Sequence, residues 1–175
     1  MILLFTGNGK GKTTASLGQM VRVLGRDKAA LMIQFIKGPW ASGEDEFANK
    51  YGLSPDQFAI RKMGLGFVGI LGDPLPIEKH KEAAQKALAT FVEEKNSGKW
   101  HLIVLDEVNV ALSLGLLALD DVVTAIKDYP DSRILILTGR NAPQELIDVA
   151  DLATEMREIK HPFNEGKQGQ VMVEF

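Results

Sequence analysis

Gly7-Asn8-Gly9-Lys10-Gly11-Lys12-Thr13-Thr14 is a run built to hold phosphates. Glycines let the backbone turn so that successive N–H groups converge on anionic oxygens. Lys10 and Lys12 add positive charge, and the Thr13 hydroxyl is a hard oxygen ligand suited to Mg2+. The usual phosphate loop reads G-x-x-x-x-G-K-[ST]. Here the Gly11-Lys12-Thr13 end is kept, but Thr6 stands where the first glycine belongs. The plainer alternative is a glycine turn that caps a helix. A second signal is Leu102-Ile103-Val104-Leu105 followed by Asp106-Glu107. A carboxylate at the C-terminal end of a buried strand faces the ligand crevice of an open α/β sheet. In phosphate-loop proteins such an acid holds Mg2+ or its water; the plainer alternative is a strand that ends in a solvated acidic turn.

Other residues carry weaker chemistry. Thr138-Gly139-Arg140 also follows an apolar run, and Arg140 either contacts phosphate or pairs with a surface acid. Glu44 is either catalytic or a helix-start acid. His80, on an exposed-looking helix, and His101 read as structural or solvated. Phe67 lies among glycines, either as a small core anchor or as an aromatic cover for a flat ligand. No Ser-His-Asp or multi-histidine metal pattern stands out.

The elements that must position these groups alternate along the chain. Strands are expected at Ile2–Phe5, Ala29–Phe35, Phe58–Lys62, Leu102–Leu105, Ile134–Leu137 and Val171–Phe175. Helices are expected at Ala15–Leu24, Glu44–Lys50, Ile77–Lys95, Leu119–Lys127 and Ala142–Val149, the last opened by Pro143. Asn96-Ser97-Gly98 should stop the longest helix. This alternation predicts an α/β fold, a mostly parallel sheet with helices on both faces.

Composition narrows the function. A chain of 175 residues, 45% hydrophobic, suits one domain over residues 1–175. Net charge is −3 and no Lys/Arg block occurs, so nucleic acid is not the expected partner. The absence of cysteine excludes disulfides, thiolate zinc sites and a cysteine nucleophile. Apolar runs are too short for a membrane span. The chain opens directly on the loop's strand, so no signal peptide and a cytoplasmic location are expected.

Several segments together resemble the P-loop ATP:corrinoid (cob(I)alamin) adenosyltransferases. They are the loop from Gly7 to Thr14; Gln34-Phe35-Ile36-Lys37-Gly38 with Gly43-Glu44; Met63-Gly64 with Gly66-Phe67; Leu105-Asp106-Glu107 with Ala111-Leu112; Thr138-Gly139-Arg140 with Ala142-Pro143 and Glu145-Leu146-Ile147; Ala150-Asp151-Leu152 with Thr154-Glu155-Met156; and Lys160-His161-Pro162-Phe163. They occur in the family's order over nearly the whole chain. The resemblance implies a P-loop NTPase (RecA-like) architecture. It also implies transfer of the 5′-deoxyadenosyl group of ATP to the Co(I) of a corrinoid, with triphosphate released.

By the same resemblance, Gly7, Asn8, Gly9, Lys10, Gly11, Lys12, Thr13, Thr14, Arg22 and Arg140 bind ATP. Asn8 would touch the ribose, and Lys10 and Lys12 would serve catalysis. Thr13, Asp106 and Glu107 would hold Mg2+, and Phe67, Val68 and Gly69 would meet the corrinoid. A homodimer and a flavoprotein reductase partner are further implications. The N-terminal helical extension that some members fold over the site is not expected. Family members typically carry Phe-Thr-Trp where this chain has Phe67-Val68-Gly69, so an aromatic of the corrinoid half is missing. A Gly69→Trp change is therefore expected to tighten corrinoid use. The alternatives are a non-catalytic ATP- or corrinoid-binding paralogue and a P-loop phosphohydrolase or kinase.

Overall fold

A computed structural model describes residues 1–70, 72–162, 166, 170, 172 and 173. In chain order the elements are β1 (Ile2–Thr6), α1 (Lys12–Leu24), β2 (Ala30–Gln34), α2 (Gly43–Lys50), β3 (Phe58–Lys62) and α3 (Ile77–Ser97). They continue with β4 (Leu102–Asp106), α4 (Val108–Ser113), α5 (Leu119–Ile126), β5 (Ile134–Thr138), α6 (Gln144–Val149) and β6 (Leu152–Glu155). The strands form one sheet in the order β3-β2-β4-β5-β1-β6, and every pairing is parallel. The expected α/β class is therefore observed.

Alternation along each strand builds two cores. Leu3, Phe5, Met32, Val104 and Ile136 pack with Met20 of α1 on one face. Leu4, Leu31, Ile33, Ile103, Leu105 and Leu137 pack with Ala84, Ala87 and Phe91 of α3 on the other. β2 and β4 are buried at all five positions, which is why they read as unbroken apolar runs. The strand register brings Lys62 beside Gln34 and Gln34 beside Asp106, while Thr138 pairs with Phe5. Register partners in a parallel sheet share a face. The polar ends of β2, β4 and β5 therefore form one row, on the face that α1 covers.

The structure adjusts several expectations. α3 continues through Ser97 and stops at Gly98, whose φ of 71° makes the left-handed cap that glycine permits. α6 begins at Gln144, with Pro143 as its cap. β6 and α4 were not anticipated. All four β6 residues are exposed, so it lacks the apolar signature of its neighbours. The expected strand at Val171–Phe175 depends on Val171, Glu174 and Phe175, which lie outside the described residues, as does Phe163. His80 is not solvated. It is 3% exposed, and its Nε2 lies 2.9 Å from Asp73 Oδ2. Asp73 also accepts the N–H groups of Gly69 (2.9 Å) and Leu75 (3.1 Å), which hold its carboxyl below the usual range. The loop carrying Phe67 to Gly69 is thus pinned to α3. No helix among the described residues is long and apolar enough to cross a membrane.

Candidate functional site

The glycine loop joins β1 to α1 at the carboxyl edge of the sheet. Gly7 (φ 91°) and Gly11 (φ 116°) take backbone angles that side chains disfavour. Gly9 has a different reason to be glycine. Its N–H donates to Met156 O at 2.6 Å, and a Cβ at Gly9 would lie 2.6 Å from that same oxygen. The segment leaving β6 therefore braces the loop from outside. Gly9→Ala should destabilise the fold by about 2 kcal/mol, because only backbone can give way. Gly18→Ala, inside α1 with open space around it, should stabilise by about 0.5–1 kcal/mol. Chemical denaturation of the two variants checks the opposite signs.

Gly11 caps α1 without a side chain, and no acid lies in the helix's first turn. The free N–H groups and the positive helix end are thus left for an anion. Lys12 is only 6% exposed, and its Nζ donates to Gly7 O and Gly9 O, both at 2.7 Å. Burial lowers its pKa, the positive charges of Arg140 and Lys10 add to that, and Glu107 and Asp106 oppose it.

Asp106 is the hub opposite the loop. Its Oδ1 accepts from Thr13 Oγ1 and Thr138 Oγ1, both at 2.9 Å, and its Oδ2 accepts from Gln34 Nε2 at 3.1 Å. Thr138 Oγ1 accepts in turn from the Glu107 N–H at 2.9 Å. The Oε1 of Gln34 is buried without a hydrogen-bond partner. Among the described residues no cluster of three His, Cys, Asp or Glu side chains forms a metal cage. The available donors are the Thr13 hydroxyl, the Asp106 carboxylate and the orphaned Gln34 oxygen. These are hard oxygens, few enough to leave positions for phosphates and water, so they fit Mg2+.

Glu107 follows with φ 62°, a left-handed angle that turns it off the strand axis. Burial and the adjacent Asp106 charge push its carboxyl up to about 7, against Lys12, Arg140 and Lys37. Between about pH 4.5 and 7 the folded chain keeps a proton that the unfolded chain releases. Rising pH therefore withdraws stability across that window. Relative to Glu107→Gln, the ligand-free parent should lose thermal stability between about pH 5 and pH 8. A constant difference in Tm would refute the cause given.

The remaining expected residues are distributed unevenly. Asn8, Lys10 and Thr14 are exposed on the loop and the first turn of α1. Arg140 is exposed beyond β5, and its charge acts on both Lys12 and Glu107. Gly139 (φ 132°) sits so close to α4 that a Cβ would lie 2.9 Å from Asn109 Cβ. Arg22 is not brought to the loop. It lies ten residues beyond Lys12, about 15 Å along the helix, where its Nη1 donates to Gln19 Oε1 at 2.8 Å. Glu44 pairs with Lys37 at 2.7 Å. Burial would raise the Glu44 carboxyl, but Lys37 holds it below the usual range. Phe67 is half exposed, Val68 packs against the core, and Gly69 has φ 67°. Sequence reasoning missed three participants: Gln34 and Thr138 as partners of Asp106, and Met156 as the loop's brace.

The whole chain, residues 1–175, matches the model of the family described as ATP:corrinoid adenosyltransferase BtuR/CobO/CobP. It is 37% identical to a corrinoid adenosyltransferase of Pseudomonas aeruginosa, covering 100% of this chain and 83% of that one. It is 38% identical to one from a Sinorhizobium species, covering 100% and 80%. It is 31% identical to the corrinoid adenosyltransferase CobA of Salmonella typhimurium, covering 100% and 85%. With a phosphate loop facing a strand-end carboxylate and a likeness that runs from end to end, the chain belongs to the ATP:corrinoid adenosyltransferase family.

Proposed function

We propose that this chain, as one domain over residues 1–175, transfers the 5′-deoxyadenosyl group of ATP to the cobalt of a reduced corrinoid. The observation that carries this reading is Lys12. Its buried ammonium lies inside the glycine loop, where it can hold a complete triphosphate leaving group. Co(I) donates its electron pair to the 5′-carbon. The bond from that carbon to the triphosphate oxygen breaks, its electron pair leaves with triphosphate, and cobalt becomes Co(III). The substrate thus brings its own strong nucleophile. The protein aligns the reacting atoms and stabilises the charge that grows on triphosphate.

In this reading the backbone from Gly7 to Thr14 cradles the phosphates, and Lys10, Lys12 and Arg140 neutralise them. Asn8 is at the nucleotide's sugar. Thr13 and Asp106, with Glu107 beside them, hold Mg2+, which when bound spreads the negative charge of triphosphate. Phe67 to Gly69 face the corrinoid. A cytoplasmic homodimer, supplied with electrons by a flavoprotein reductase, completes the proposal.

Incubation with ATP, MgCl2 and chemically reduced corrinoid tests it, with adenosylcorrinoid and triphosphate as the expected products. One observation favours a second reading. Glu107, with its carboxyl near 7, is suited to take a proton from water, which would cleave the terminal phosphate. ADP and phosphate as sole products would establish that reading instead. Binding without turnover would mark a non-catalytic member.

A further inference from the structure

Two aromatic rings stand in solvent at the carboxyl edge of the sheet, on different loops. Trp40 follows β2 and is 60% exposed, and Phe67 follows β3 and is 50% exposed. Their ring centroids are 5.9 Å apart and their planes are tilted by 33°. The Trp40 indole has its inner face on backbone. A Cβ at Gly38 would lie 2.8 Å from the ring, and one at Gly66 would lie 2.5 Å from it. Two glycines thus make a seat that any side chain would fill.

The seat is held firmly. The Lys37–Glu44 ion pair, at 2.7 Å, closes the segment with Trp40 inside it. Lys62 Nζ donates to Trp40 O and pairs with Asp45, whose Oδ2 accepts the Ser42 N–H at 2.7 Å. The Gly66 N–H donates to Ile36 O at 2.9 Å, which ties the two loops together directly beneath the rings. A tryptophan that served only to fill space would be buried. Here two glycines and two ion pairs keep a ring in water against Phe67, and Leu65 and Ile70 near Phe67 in the chain are exposed as well. Such a patch marks a binding surface.

We propose that Trp40 is a corrinoid-contacting residue, forming with Phe67 a two-ring platform for the face of the macrocycle. The proposal rests on the adenosyl-transfer reading above and adds the residue that sets corrinoid affinity. Position explains why the ligand is the corrinoid. The phosphate loop reaches across to Asp106 at the end of β4, whereas the platform rises from the ends of β2 and β3, on the edge side of that carboxylate. Two rings side by side also offer a wider wall than one purine needs. Gly69 cannot readily supply the second ring. Its φ of 67° would strain any side chain, and its N–H is engaged by Asp73. The expected gain from Gly69→Trp carries the backbone strain of that φ, and the KM measurements below test it alongside Trp40.

The test uses the full chain with chemically generated Co(I) corrinoid, measuring KM for corrinoid and for ATP separately. Trp40→Ala should raise the corrinoid KM about tenfold while the ATP KM stays within about twofold. Trp40→Phe should remain within about threefold of the parent. Trp40→Leu keeps apolar bulk on the two glycines but loses the flat face, and should raise the corrinoid KM about fivefold, so a poorly folded alanine variant leaves the test intact. An unchanged corrinoid KM in Trp40→Leu overturns the platform and leaves the adenosyl-transfer reading standing. A raised ATP KM with corrinoid unaffected overturns it by assigning the rings to the nucleotide. A parent that makes no adenosylcorrinoid removes both.

Discussion

Lys12→Ala is expected to lower adenosyl transfer by about 10²–10³-fold, with the fold retained. The Lys12 ammonium is the buried cation of the loop, and it is already desolvated before any nucleotide arrives. Its two acceptors, Gly7 O and Gly9 O, are uncharged and hold it in place without neutralising it. An entering triphosphate therefore meets a full positive charge in a low-dielectric setting, where that charge acts most strongly. Alanine removes the charge and leaves two carbonyls to water. Formation of adenosylcorrinoid, followed by its absorbance, measures the loss, and circular dichroism checks the fold. Turnover within about tenfold of the parent would refute the role. Lys12→Arg should rescue little, because a planar guanidinium does not fit between two carbonyls that hold a compact ammonium.

Asp106→Asn should lower both Mg2+-dependent ATP binding and stability. The carboxylate accepts three side-chain hydrogen bonds in a fully buried setting. An amide can accept at only one of its two terminal atoms. Either Gln34, or Thr13 and Thr138, must then face an N–H group. A flipped Gln34 amide, whose Oε1 lacks a partner, can accept that N–H. Charge-assisted hydrogen bonds are thus exchanged for neutral ones, and the fold should be destabilised by about 1–2 kcal/mol, a fall in Tm of about 2–8 °C for a chain of this size. A thermal melt without ligand and an ATP titration with and without Mg2+ separate the two losses. A Tm within about 2 °C of the parent would show that the three hydrogen bonds contribute little.

Much of this architecture could be read from the chain because burial leaves a strong mark. β2, β4 and β5 are unbroken apolar runs, and each ends in a polar residue at the crevice. The loop and Asp106 were legible for the same reason, as chemistry placed just after a buried strand. β6 was not, since an exposed edge strand of Leu-Ala-Thr-Glu carries no periodic signal. His80 was open between a structural and a solvated reading because its helix is polar around it, and the structural one holds. Asp73, seven residues earlier, turns that position into a buried anchor. Asp106 and Glu107 looked equivalent as neighbours. Three side-chain hydrogen bonds make Asp106 a hub, while burial and the Asp106 charge push the Glu107 carboxyl up to about 7. Trp40 and Phe67 are 27 positions apart, and their contact depends on how two loops return to the same edge.

The row of polar strand ends has a consequence for how this site tolerates change. Lys62, Gln34 and Asp106 are adjacent because backbone hydrogen bonds fix the register of three parallel strands. The spacing from the carboxylate to the lysine that holds the Trp40 loop is therefore set by the sheet, like graduations on a ruler. Substitutions in the loops can alter what is bound without changing that scale. A single-residue deletion within β2 or β4 would instead carry Gln34 or Asp106 to the α3 side of the sheet. The two halves of the crevice would then be out of frame, although every residue named in either half would still be present in the chain.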